Sequence, residues 1–124
     1  MRHIRSTFAF VALALAVPQI ASAHTELVAS TPAANSTVSG PSTIVLRFEE
    51  PVVAATTQAE IAMTGMANHA TMPVTNFTSR MGSDRKTLTL TLAAPLSRGT
   101  YRVNWSAAGG DTHRVTGNFT FTVR

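Results

Sequence analysis

The sequence predicts an all-β sandwich, and three observations lead there. Thr43–Phe48 puts Ile44, Leu46 and Phe48 on one face, and polar and apolar residues alternate with period two in Thr87–Leu92, Tyr101–Trp105 and Asn118–Val123, the pattern of strands with one buried face. Turn-forming residues separate these runs at short intervals, at Gly40-Pro41, Gly82-Ser83-Asp84, Pro95 to Gly99 and Gly109-Gly110. Beyond residue 23 no segment shows the apolar stripe of an amphipathic helix.

In chain order, a weak strand is expected at Glu26–Ser30, followed by a turn holding Pro32 and Asn35. Thr43–Phe48 places Ile44, Leu46 and Phe48 on one face. Gln58–Met63 and Val74–Ser79 are weaker strands. Thr87–Leu92 alternates threonine and leucine without a fault, and Tyr101–Trp105 and Asn118–Val123 complete the set. Seven short strands in about 100 residues predict a seven-stranded immunoglobulin-like Greek-key β-sandwich. Tyr101 stands at the start of the sixth strand, where a tyrosine corner belongs. With strands alternating in direction, the start of the first strand shares an end with the loop joining the sixth and seventh. The Met63–Met72 segment then falls at the other end, roughly 20–26 Å away for ~6–8 residues at ~3.3 Å each.

Residues 1–23 read as a signal peptide. Arg2 and Arg5 form a basic start, Phe8 to Val17 is an apolar run, and Ala21-Ser22-Ala23 supplies the small residues of a cleavage site. That run is too short to span a bilayer, and no other segment approaches about 20 apolar residues. The expected product is one exported, soluble domain, residues 24–124. Losing Arg2 and Arg5 takes the net charge from +4 to +2, so the high isoelectric point gives little support for a nucleic-acid partner. There is no cysteine. No disulfide can staple the fold, and soft-metal chemistry is left to methionine.

Cleavage after Ala23 exposes His24 as a free α-amine and an imidazole, two nitrogens able to chelate one ion. At the same predicted end lies Gly109-Gly110-Asp111-Thr112-His113. An Asp-x-His pair on an extended segment points both side chains to one face. His24, Asp111 and His113 together offer an amine, two imidazoles and a carboxylate, a set that suits Cu(II). The plain alternative is that Asp111 and His113 are turn residues at a strand entrance. Glu49 and Glu50, ending the second strand, read as a solvated turn, with a supporting role beside the metal as the sharper alternative.

The second cluster is Met63-Thr64-Gly65-Met66-Ala67-Asn68-His69-Ala70-Thr71-Met72. Met63, Met66, Met72 and His69 form a soft, neutral donor set that favours Cu(I). Its alternative is a methionine-rich gap filler or an adaptable contact surface. Thr64, Gly65 and Asn68 argue for exposure, where a methionine without a role is an oxidation hazard.

Taken together, these residues resemble the CopC (PcoC-like) family of periplasmic copper-resistance proteins. The likeness runs from His24 through Thr31-Pro32-Ala33, Leu46–Val52, Met63–Met72 and Pro95–Trp105 to Asp111–Gly117. It implies a small β-sandwich copper carrier of the periplasm that buffers or delivers copper. In the family pattern the first mature histidine and the Asp-x-His loop hold Cu(II), matching His24, Asp111 and His113. A methionine loop with one histidine holds Cu(I), matching Met63, Met66, His69 and Met72, with one methionine fewer than the richest family examples. The resemblance also implies a recipient: an inner-membrane copper importer of the CopD type, or another periplasmic copper protein. Two other readings compete. A histidine-brace copper monooxygenase would also use an N-terminal histidine, but Asp111 would fill the in-plane position that O₂ needs. An immunoglobulin-like interaction domain would use the methionines for protein contact and hold no metal.

Overall fold

Ile44, Leu46 and Phe48 share one face of their strand and are buried, as are Leu88 and Leu90 on the strand beside them. They face Ile61, Tyr101, Val103, Phe119, Phe121 and Val123 across a single core. This computed structural model describes residues 25–64 and 71–124. The predicted signal peptide, His24, Met66 and His69 lie outside the described residues.

The described residues form nine strands: β1 Leu27–Thr31, β2 Thr37–Val38, β3 Thr43–Phe48, β4 Gln58–Met63, β5 Met72–Val74, β6 Phe77–Met81, β7 Thr87–Leu92, β8 Gly99–Ala108 and β9 Arg114–Val123. One sheet has the order β1-β3-β7-β6 and the other β2-β9-β8-β4-β5. Neighbours are antiparallel except β2, which runs parallel to β9. The sandwich class and the strands at β3, β4 and β7 are as the sequence predicts.

The strand number is not seven. The expected Val74–Ser79 strand divides, because the chain changes sheets between Val74 and Phe77. Val74 pairs with Ile61 in one sheet, whereas Phe77 pairs with Leu92 in the other. Both side chains pack against the core. Three residues apart on one continuous strand, they would point to opposite faces. The bend at Thr75, whose carbonyl accepts the Phe77 N–H at 3.0 Å, lets both turn inward. The two-residue β2 is the other addition.

Tyr101 is the corner expected of it. It is 1 % exposed, and its hydroxyl donates to the Ser97 carbonyl at 2.7 Å. Trp105 meets Phe48 edge-on, with ring centroids 5.3 Å apart. Gly117 lies opposite Trp105, and a Cβ there would come within 2.5 Å of the indole. The absent side chain is what lets the ring lie flat on β9.

Backbone bonds close the two ends of the sandwich. At the first, Glu49 N–H donates to the Glu26 carbonyl at 2.8 Å and Val53 N–H to the Ala108 carbonyl at 2.9 Å. At the other, Thr64 N–H donates to the Thr100 carbonyl at 2.8 Å. No helix of the described residues is long and apolar enough to cross a membrane.

Candidate metal centre

Thr25, the residue after His24, is buried at the first end and is 7 % exposed. It lies against the start of the β8–β9 turn so closely that a Cβ on Gly109 would sit 2.7 Å from its Oγ1. Glycine is needed at 109 for close approach. The chain entering β1 is thereby fixed beside the turn that carries Asp111 and His113. A cleft of about 510 Å³ opens there, lined by Thr25, Glu50, Val53, Arg85, Gly110 and Asp111 among others.

Asp111 and His113 do come together, but not on an extended segment. Thr112 takes a left-handed conformation, φ 68°, and its N–H donates to the Gly109 carbonyl at 3.0 Å. The tight turn then wraps the carboxylate around His113. Oδ1 accepts the His113 backbone N–H and Oδ2 meets the ring Nδ1, each at 3.2 Å. With its proton on Nδ1, the imidazole donates to Asp111 and presents Nε2 outward, the way a carboxylate orients a metal-binding histidine. The same bonds, the ring's first and the backbone N–H second, hold the Asp111 carboxyl below the usual carboxylate range. Both side chains are well exposed. Among the described residues no three His, Cys, Asp or Glu side chains are grouped to hold a metal ion; His24, the third member expected from the sequence, lies outside them.

At the opposite end, Met63 and Met72 are direct partners across the β4–β5 ladder. Opposed antiparallel residues share a face, with Cβ atoms about 5 Å apart. Met63 packs against the edge of the core, its sulfur 3.5 Å from where a Gly99 Cβ would be, while Met72 is 56 % exposed. The hairpin thus presents one half-buried and one exposed thioether at its mouth, and the segment with Met66 and His69 joins them. Met63 is level with Tyr101, and the first cluster begins past Ala108. Seven residues of β8 at ~3.3 Å each separate the two ends by roughly 23 Å.

Sequence reasoning weighed Glu50 only as an outside participant, and the structure sets it in the cleft beside Asp111. It overlooked the Thr25–Gly109 contact. The Gly-Gly pair signals a turn, and nothing local in it signals a contact with a residue 84 positions earlier.

The family model describing the CopC domain matches residues 27–124. The chain belongs to the CopC family. It is 42 % identical over 115 residues to copper resistance protein C of Escherichia coli, covering 90 % of each chain. The copper resistance protein C of Pseudomonas syringae pv. tomato is also 42 % identical, over 91 % of this chain and 90 % of that one. The crystal structure of PcoC, a methionine-rich copper resistance protein from Escherichia coli, superposes on this CopC-family chain with a TM-score of 0.76. There the identity is 44 %, over 82 % of this chain and 100 % of the other.

Proposed function

We propose that this CopC-family chain is an exported copper-binding protein of copper resistance, acting in the periplasm as a carrier and not as an enzyme. The relatives named for copper resistance match it over nine-tenths of their length. In this reading signal peptidase removes residues 1–23 and frees the His24 amine. Amine and ring then bind Cu(II) with His113 and Asp111, and Glu50 supplies a further carboxylate from the cleft. Met63, Met66, His69 and Met72 take Cu(I). The recipient is a CopD-type inner-membrane transporter or another periplasmic copper protein.

The observation that carries the Cu(II) reading is the burial of Thr25 against Gly109, two residues from Asp111. In this reading the freed amine belongs to the residue joined directly to Thr25, one Cα step of about 3.8 Å away. Asp111 stays ionised to lower pH than an ordinary carboxyl, and because the donors must be unprotonated, Cu(II) binding weakens as pH falls. Because the ligands differ in hardness, each oxidation state has its own end of the molecule. Release at the soft end proceeds by exchange of thioethers with a partner.

The test is N-terminal mass analysis of the exported protein followed by Cu(II) spectroscopy on the same sample. A chain beginning at His24 with nitrogen-rich in-plane coordination is expected. Undiminished Cu(II) affinity in a protein carrying one extra residue before His24 would overturn the assignment. For the soft site, Cu(I) titration of the Met63→Leu/Met66→Leu/Met72→Leu variant should show binding lost.

A further inference from the structure

The methionines differ in how far an oxidant can reach them. A thioether is oxidised when a peroxide oxygen meets its sulfur, so among side chains of one kind exposure ranks the rates. After Met1 the chain carries Met63, Met66, Met72 and Met81, and the described residues include Met63, Met72 and Met81. Met72 is 56 % exposed. Met63 and Met81 are half-buried and pack against the core. The Met63 Sδ and Cε lie along Gly99, 3.5 and 3.4 Å from where a Cβ would be. Met81 stands opposite the buried Leu88.

Position in the ladder decides what oxidation does to the fold. β5 is the outer strand of its sheet. It is held by pairing with β4 and by Val74, which packs against the core. Met72 lies two residues before Val74 and faces the same way, but its side chain is exposed rather than packed. A sulfoxide oxygen added at Met72 meets water and leaves β5 anchored. At Met63 the same oxygen would enter the packing beside Gly99 and the core edge, where a polar group without a partner is costly. Met72 therefore has what a switch requires: its chemistry can change while the strand stays in place.

We propose that Met72 is a reversible oxidation site that switches off the soft end of the molecule. The oxidant is a peroxide, a two-electron donor of one oxygen atom. The sulfur attacks one peroxide oxygen, the S–O bond forms as the O–O bond breaks, and the other oxygen leaves as water with both protons. Sulfur gives up two electrons and the peroxide takes them. The consequence for copper rests on Met63–Met72 being the Cu(I) segment, whereas the oxidation site itself does not. Met63 and Met72 are direct partners across the ladder, with Cβ atoms about 5 Å apart, a spacing that two thioethers can close around one ion. A sulfoxide presents a harder oxygen in place of the thioether and matches Cu(I) poorly. Oxidation at Met72 thus removes one donor of the pair. Occupancy works the other way, because a bound soft ion engages the sulfur lone pair that the oxidant needs. The empty protein is the form that is disabled, and methionine sulfoxide reductases restore the thioether.

The probe is hydrogen peroxide, added to the copper-free protein and followed by peptide-resolved mass spectrometry. Met72 sulfoxide should form at least about 10-fold faster than the sulfoxide of Met63 or Met81. Protein carrying the Met72 sulfoxide alone, separated by chromatography and freed of peroxide, should melt like the unoxidised protein. In anaerobic competition it should bind Cu(I) at least about 10-fold more weakly, and treatment with both classes of methionine sulfoxide reductase should return the affinity. Bound Ag(I), a soft ion that peroxide does not oxidise, should slow the reaction at Met72. Equal rates at the three methionines, full Cu(I) affinity in the isolated sulfoxide, a loss that the reductases do not reverse, or no slowing by Ag(I) would overturn the proposal. If the unoxidised protein itself fails to bind Cu(I), the soft-end reading falls and the copper switch falls with it. That result is distinct from the order of oxidation, which the copper-free arm measures on its own.

Discussion

Replacing Gly109 with alanine tests how the first end is assembled. The new Cβ would lie 2.7 Å from Thr25 Oγ1, where carbon–oxygen contacts normally need about 3.3 Å or more. The neighbour is a buried, short side chain next to backbone already bonded to Glu49, so it cannot swing away. Relief requires a backbone shift of roughly half an ångström, and such overpacking typically costs about 1–3 kcal/mol. For a domain of this size, a loss of about 2 kcal/mol lowers Tm by roughly 8–16 °C. The same displacement moves Thr25, the residue bonded to the proposed His24 ligand. Metal–ligand distances tolerate only about ±0.2 Å, so Cu(II) affinity should fall by at least about 10-fold while Cu(I) binding at the far end is unchanged. Thermal melts, a Cu(II) competition titration and a Cu(I) titration measure the three effects. Adding Thr25→Ala removes the atom that clashes and should restore most of both losses. If Gly109→Ala melts and binds Cu(II) like the unaltered protein, or the double variant is no better than the single one, the contact does not set the geometry of this rim.

Three more outcomes follow from the packing. Tyr101→Phe removes the bond to the Ser97 carbonyl and should lower stability by about 1 kcal/mol in urea unfolding, with copper binding unaltered. Gly117→Ala, placing a Cβ 2.5 Å from the indole, should shift Trp105 fluorescence and reduce Tm more than Gly110→Ala, whose Cβ meets nothing within 4 Å. Asp84 accepts the Lys86 N–H at 2.9 Å and the Thr87 N–H at 3.2 Å, and the Lys86 bond above all lowers its pKa from 3.8. A depressed folded-state value means that its contribution is complete above the unfolded value and disappears as pH falls through the folded one. The Tm difference between the unaltered protein and Asp84→Asn should therefore be constant at pH 6–7 and shrink as pH drops below about 4.

The local pattern carried much of the architecture. Thr87–Leu92 could bury its leucines only as a strand, because period two is a property of the backbone and needs no partner to be read. Tyr101 announced its corner for a similar reason: the bond it makes spans four residues. The candidate copper donors were legible in the same way, as residue types whose hardness is chemical and independent of fold.

Tertiary structure decided what depends on residues far apart. Val74 and Phe77 sit in different sheets because each found a separate core neighbour, and no run of six residues contains that choice. The Asp111–His113 pair was foreseen, but its cause was not. The turn is set by a left-handed Thr112 and by Gly109 yielding space to Thr25, contacts that exist only after β1 has paired with β3 and β8 with β9. The sequence by itself determined which candidate donor types the chain carries and that it would form a sandwich. The fold alone determined that the Asp-x-His turn faces the start of β1, and that Met63 and Met72 stand opposite each other across the β4–β5 ladder. Alternation and donor chemistry are local, whereas proximity arises only from packing.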